Sequence, residues 1–180
     1  EGEFVSSSRI RKLIKGGHLG EAADCLGRPF SIFGKVIPGK GRGRQLGFPT
    51  ANLHTGKVVL PPCGVYPVSL RRLKIEQEAG RKRGTQEFHA SYPGKWLRGI
   101  LNYGRRPTFR KGTPKSVAEV FIFDFKGDLY GEILEVVFHP KLREEEAFPN
   151  QEALKHQITE DIHRAKKCFT KEDKFSILIS

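Results

Sequence analysis

Between Phe30 and Phe138 the chain is a succession of short β-type runs separated by turn residues, with little helical pattern between them. The runs are Phe30–Ile37, Gly64–Leu70, Leu97–Tyr103, Val117–Phe125 and Ile133–Phe138, and Phe175–Ile179 is a possible sixth. Parallel strands need long crossovers, usually helical, so strands joined mainly by turns favour an antiparallel sheet closed into a barrel. Gly127-Asp128, between the fourth and fifth runs, predicts a tight hairpin. Residues 71–95 are polar and carry Arg71, Arg72, Lys74, Arg81, Lys82 and Arg83 among glycines, which reads as a long hairpin or loop outside the core.

Two helical regions flank this pattern. Residues 5–27 place Ile10, Leu13 and Ile14 on one face after a serine cap, pause at Gly16-Gly17, and resume with Leu19, Ala22, Ala23 and Leu26. Gln151–Phe169 spaces Leu154, Ile158, Ile162, Ala165 and Phe169 as a helical stripe behind a cap at Asn150, and this stripe is expected to pack on the barrel.

The chain's 180 residues suit one compact domain with a short appendage, and no apolar run reaches the ~20 residues of a spanning helix. It contains no Met and begins without a signal pattern, which reads as a fragment or a processed chain. Cys25, Cys63 and Cys168 are distant and form no CxxC pair, and none of the six histidines has metal-ligand spacing. A disulfide framework or zinc site is therefore a poor reading, and a reducing cytoplasm the better one.

The net charge of +12 is uneven: residues 1–115 hold 23 Lys and Arg against 7 Asp and Glu, whereas residues 116–180 hold 9 against 13. A basic first part suggests a polyanion, either nucleic acid or nucleotide phosphate.

The richest chemistry lies in Gly39-Lys40-Gly41-Arg42-Gly43-Arg44, followed by Gln45 to Asn52. Glycines let a backbone approach phosphate oxygens, and the three cations add donors. No Gly-Lys-Ser/Thr closes the loop, so it is not a Walker loop. A solvated basic turn or an RNA-binding patch explains this string equally well. Thr50 and Asn52 shift that balance, because a hydroxyl and an amide oxygen two residues apart on an extended segment suit a magnesium ion beside phosphates. Glu119 shares a strand face with Val117, Phe121, Phe123 and Phe125. It is either a base at a barrel mouth or an outward carboxylate on a strand whose core face is Ala118, Val120 and Ile122; pattern alone does not choose. Arg143 and Phe148, in a charged segment before the last helix, suit a lid over a planar ring.

In order along the chain these strings resemble the riboflavin kinase family. The resemblance rests on Gly34-x-Val36, the glycine-basic loop, Leu46-Gly47-Phe48-Pro49-Thr50-Ala51-Asn52, Pro61, Gly64-Val65-Tyr66 and Asn102-x-Gly104-x-Arg106-Pro107-Thr108-Phe109. It continues through Glu119-Val120-x-Ile122, Leu129-Tyr130-Gly131, Arg143-x-Glu145-x-x-Phe148 and the Leu154–Asp161 helix. Val5 to Arg11 is similar to the signature that ends the FMN adenylyltransferase domain of bifunctional bacterial FAD synthetases.

The resemblance implies a mainly β fold, a closed six-stranded antiparallel Greek-key barrel with a C-terminal helix. It divides the chain into residues 1–27, the tail of an adenylyltransferase domain and a helical linker, and residues 28–180, the kinase module. The implied reaction is transfer of the ATP γ-phosphoryl group to the riboflavin 5′-hydroxyl, giving FMN and ADP with Mg²⁺ as cofactor. FMN adenylylation is not expected of this chain, and its partner would be the upstream adenylyltransferase domain. ATP would meet Gly39, Lys40, Gly41, Arg42, Arg44, Thr50, Ile122, Asp124 and Tyr130; the metal, Thr50 and Asn52. Glu119 matches the residue that activates the hydroxyl, and Arg143, Glu146 and Phe148 match the flavin-side positions. Phe121 stands where members often carry His, Ser8 replaces the usual Thr, and Glu146 stands where many carry Lys. The competing expectations are a basic RNA-binding barrel and a kinase-like domain without activity; neither nucleic acid nor membrane is the expected partner.

Overall fold

Alternation along each strand sets an inner and an outer wall. In β1 (Ser31–Ile37) Ile32 and Val36 are buried, while Phe33 and Ile37 are exposed on the other side. The computed structural model describes residues 4–39, 41–79, 86–106 and 115–169. After β1 come β2 (Thr50–His54), β3 (Gly64–Ala79), β4 (Gln86–Ser91), β5 (Leu97–Arg106), β6 (Lys115–Ile122) and β7 (Ile133–Phe138). Six of them form the ring β3-β5-β6-β2-β1-β7, and β7 pairs back onto β3 to close it. Every neighbouring pair is antiparallel. The expected closed six-stranded barrel is therefore present.

The ring interior is filled by Val36, Leu53, Tyr66, Val68, Leu70, Leu101, Val120, Leu134, Val136 and Phe138, all buried in one cluster. Tyr66 ends in a hydrogen bond from its hydroxyl to the Pro62 carbonyl at 2.6 Å, and burial pushes its phenol well above the usual range. One end of the barrel is plugged by two helices, α1 (Ser7–Gly16) and α2 (Leu19–Leu26), which place Ile14, Leu19 and Ala22 in the same cluster. Ser6 caps α1 by accepting from the Arg9 amide at 3.2 Å, and the helix ends at Gly17, whose φ is 83°. Leu129 joins the cluster from the 123–132 connection. The polypeptide before Pro29 thus shares the barrel's core.

A second apolar layer lies outside the wall. The helix α4 (Gln151–Cys168), capped by Asn150, sets Ile158, Ile162 and Ala165 against Val65, Ile100, Phe121 and Phe123. Here Ser69 and His139 meet at 2.9 Å beneath Phe169.

Three expectations change. β6 and β7 are not a tight hairpin around Gly127-Asp128: both edges of β6 are taken by β2 and β5, so residues 123–132 cross to another part of the ring. The segment 71–95 is not wholly outside the core, because Arg71, Arg72 and Leu73 continue β3 in register with β7. Only from Lys74 does β3 leave the ring and pair with β4 instead. Arg71 is held in the wall by Glu135 at 2.7 Å and by the rings of Tyr92 and Trp96, 3.5 and 4.5 Å from its guanidinium carbon. The third is β2, a strand without an apolar run of its own: Ala51 and Leu53 face in, and polar Thr50 and Asn52 face out. The run Phe175–Ile179 and the cluster Arg81-Lys82-Arg83 lie outside the described residues.

If α1 and α2 are part of the barrel's core, Leu19→Ala destabilises the domain by about 2–5 kcal/mol, the range for emptying a buried leucine site. Chemical denaturation checks this; a change within about 0.5 kcal/mol, the range of surface substitutions, would make the helices an independent appendage.

Candidate active site

The site is built on the outer wall, where β2, β6 and β5 lie side by side. Asn52 on β2 is the direct cross-strand partner of Glu119 on β6, and Glu119 is in turn the partner of Asn102 on β5. Directly opposed side chains stand about 4.5–5.5 Å apart at Cβ, so the carboxylate is flanked by two amides. One step along, Thr50 stands opposite Phe121 and Phe121 opposite Ile100. The inner face of β6 is Ala118, Val120 and Ile122, so Glu119 does face outward, and it is no barrel-mouth residue. That outer face is nevertheless no open surface: α4 and the segment after β7 roof it into a cleft of about 390 Å³.

Thr50, Asn52, Glu119, Arg143, Glu146, Phe148, Gly41 and Gly43 all line this cleft. The glycine loop reaches it by close approach. A Cβ on Gly39 would overlap the Asn52 side-chain amide, and one on Gly43 would collide with the Phe48 carbonyl and sit 3.0 Å from the Thr50 hydroxyl. Only glycine lets the backbone lie against both polar side chains of β2. The loop also contains a short helical turn, α3 (Arg42–Gln45), which the glycine content had not predicted. Lys40 and the Arg42 side chain lie outside the described residues, and Arg44 is exposed on this turn.

The roof is pinned at two levels. Its backbone is stitched to β3, where Leu142 N–H donates to the Val65 carbonyl at 2.9 Å and Val65 N–H to the Arg143 carbonyl at 3.0 Å. The Arg143 side chain reaches across to α4 and forks onto Asp161, Nη2 to Oδ2 at 2.7 Å. Its guanidinium carbon lies 5.7 Å from the Phe148 ring centre. The floor is aromatic and aliphatic: Phe121 meets Phe48 edge-on at 5.7 Å, beside Val65 and Ile100. Phe121 thus serves as apolar floor at the position where His was the more familiar residue.

Besides Gly39 and Arg44, which the cleft lining does not include, three expected nucleotide residues lie apart from it. Ile122 is buried in the barrel interior, Asp124 lies in the turn after β6 with its carboxylate 3.6 Å from Lys166, and Tyr130 is exposed after an Asx turn on Asp128. Gly131 N–H donates to the Val36 carbonyl at 2.9 Å, which sets Tyr130 at the barrel end where β1 stops, and the register of β1, β2 and β6 brings Ile122 to the same end. Asn102, Glu145 and Asp161 line the cleft without having been assigned a role from the residues. A signal existed for Asp161, a carboxylate within the apolar stripe of α4; Asn102 and Glu145 had only their places in the strings Asn102-x-Gly104 and Arg143-x-Glu145.

A magnesium ion fits the donors present. Among the described residues no cluster of three His, Cys, Asp or Glu could form a closed protein cage. Mg²⁺ instead takes one or two protein oxygens, retains waters and shares phosphate oxygens. Thr50 and Asn52, on one face and in contact with a loop that only glycine permits, offer that partial set.

The riboflavin kinase family model, Flavokinase, matches residues 26–169. The bifunctional riboflavin kinase/FMN adenylyltransferase of Pseudomonas fluorescens is 40% identical over 166 residues, 92% of this chain and 47% of that protein. The proteins of the same description from Haemophilus influenzae and Escherichia coli K12 are 37% and 34% identical over 94% and 93% of the chain. The chain spans about half the length of these relatives. A solved protein from Streptococcus pneumoniae described as a macrolide-efflux protein superposes with a TM-score of 0.72 at 31% identity, over 90% of this chain and 46% of its own. Riboflavin kinase from Trypanosoma brucei superposes with a TM-score of 0.51 at 23% identity, over 81% and 82%, a likeness of fold. With its barrel, its roofed outer wall and a family match from the last residue of α2 to the end of α4, this chain belongs to the riboflavin kinase family.

Proposed function

We propose that the chain phosphorylates riboflavin, using MgATP to convert the 5′-hydroxyl to the monophosphate of FMN. The observation that carries this reading is the opposition of Asn52 and Glu119 on adjacent strands, facing one roofed cleft. An amide and a carboxylate one residue spacing apart support a metal donor and a proton acceptor on either side of the place where a hydroxyl and a γ-phosphoryl group would meet.

The phosphate side of the cleft is the glycine loop, with Gly39 and Gly41 to Arg44 approaching the anion through backbone N–H groups and cations; Lys40 completes the string in sequence. Ile122, Asp124 and Tyr130 border the nucleotide further along that barrel end. Thr50 and Asn52 hold the magnesium ion, which supplies charge neutralisation on the transferring phosphoryl group. The flavin side is the roof, where Arg143, Glu146 and Phe148 offer a planar cation, a carboxylate and a ring. Glu119 accepts the hydroxyl proton as the oxygen attacks phosphorus in line with the departing ADP. Positioning and charge neutralisation carry most of the rate in phosphoryl transfer, and proton transfer adds a smaller factor.

Residues 1–27 on this reading end an adenylyltransferase domain and lead into the kinase module of 28–180, and that domain is the natural partner. Packing of α1 and α2 in the barrel core favours a fixed junction over a loose tether. The unpaired cysteines Cys25, Cys63 and Cys168 accord with a cytoplasmic setting.

FMN formation from riboflavin and MgATP, followed by chromatography, tests the reading. Glu119→Gln is expected to lower kcat by about 10²–10⁴-fold, the usual size of a general-base contribution, with the fold intact. Full activity in Glu119→Gln removes the base assignment, and no FMN from folded wild-type protein removes the kinase. Asn52→Ala is expected to raise the Mg²⁺ concentration for half-maximal activity by about tenfold or more, reflecting one lost ligand among few. An unchanged Mg²⁺ dependence would take Asn52 out of the metal site.

A further inference from the structure

Asp161 is the most deeply buried charged side chain among the described residues, 1% exposed, and it interrupts the apolar stripe of α4 between Ile158 and Ile162. A carboxylate in such a place is costly unless paired and fully hydrogen-bonded. Arg143 supplies the pairing: its Nε lies 3.0 and 3.1 Å from the two Asp161 oxygens and its Nη2 lies 2.7 Å from Oδ2. Gln157, one turn earlier, donates to Oδ1 at 3.1 Å. On its other side Arg143 donates from Nη1 to the Glu144 carbonyl at 2.8 Å. With the Arg143 backbone bonded to Val65, both ends of this residue are fixed by the chain itself.

We propose that Asp161 is a positioning residue for the flavin side of the cleft, acting through Arg143 rather than on the substrate. The inference rests on the riboflavin kinase reading for the identity of the substrate. Three of the five guanidinium N–H groups are occupied by Asp161 and the Glu144 carbonyl, which leaves two N–H groups and a flat face. The charge is compensated by Asp161, so the surface offered to the cleft suits an uncharged ring with carbonyl acceptors better than a phosphate. Loss of Asp161 should therefore impair riboflavin and spare ATP. A residue that merely holds the fold together would affect both substrates alike.

The test uses the full chain and the variants Asp161→Asn and Asp161→Glu. The Michaelis constants for riboflavin and ATP are measured beside the melting temperature and riboflavin affinity from flavin fluorescence. Misplacing a binding group by about 1 Å can cost up to about 100-fold, so the riboflavin KM and Kd should rise about 10- to 100-fold in Asp161→Asn. Asp161→Glu, with the charge kept but shifted by one methylene, should fall between wild type and Asp161→Asn. The ATP KM should stay within about twofold, the level at which an interaction difference is under 0.5 kcal/mol. Equal rises for both substrates, or an unchanged riboflavin constant in folded variants, overturns the proposal. If Asp161→Asn does not fold, Asp161→Glu decides alone; loss of the fold in both makes Asp161 a folding residue and also overturns it. Wild-type protein that binds riboflavin without forming FMN sinks the kinase reading while the binding constants still judge Asp161. Wild type that neither binds nor phosphorylates riboflavin sinks both.

Discussion

Side chains on a strand alternate between two faces, and in this barrel the inner face is spent on packing. Val36, Leu53, Leu101, Val120 and Leu134 meet across the ring with no polar group among them. Interiors packed like this have no room for a substrate. Whatever chemistry the strands carry must then stand on the outer face, which needs its own cover to exclude water. The chain supplies that cover by returning after β7 along β3 and laying α4 over Val65, Ile100 and Phe121. Cleft, glycine loop and roof all follow from a full barrel.

The two sides of the cleft are held by different means. On the side of the glycine loop, precision comes from absence: Gly39 and Gly43 leave room for the Asn52 and Thr50 side chains that any Cβ would displace. On the side of the roof it comes from a buried ion pair, Arg143 with Asp161, supported by Gln157 and the β3 backbone. A backbone cradle suits an anion that must be contacted from many directions. A planar cation with its charge compensated suits a flat neutral ring.

Much of this was legible in the residues. The alternation of Ala118, Val120 and Ile122 against Glu119 and Phe121 contained both of the faces that matter, although pattern could not say that the outer one would be roofed. The loop Gly39–Arg44 read equally as a phosphate site or a basic turn, and Thr50 with Asn52 tilted that reading toward magnesium; the structure sets the loop against both side chains. What could not be read depends on distant pairing. β2 hides because half of it is polar site rather than core, and the Gly127-Asp128 turn looked like a hairpin because sequence neighbours need not be sheet neighbours. Asp161 was visible as an anomaly in a helical stripe, but its meaning required Arg143, 18 residues earlier, to be seen across from it.

Catalysis on the outer wall of the barrel, between the glycine loop and the roof, is the reading on which the proposed roles of Glu119, Thr50 and Asn52 depend. A crystal structure of the chain with riboflavin and MgADP tests it most directly. With catalysis on the outer wall, the isoalloxazine is expected beneath Arg143 and Phe148, the 5′-hydroxyl within hydrogen-bond reach of Glu119, and the metal on Thr50 and Asn52. Riboflavin bound instead in the shallow recess of Trp96, Phe123 and Phe169, with Glu119 far from its hydroxyl, would contradict it.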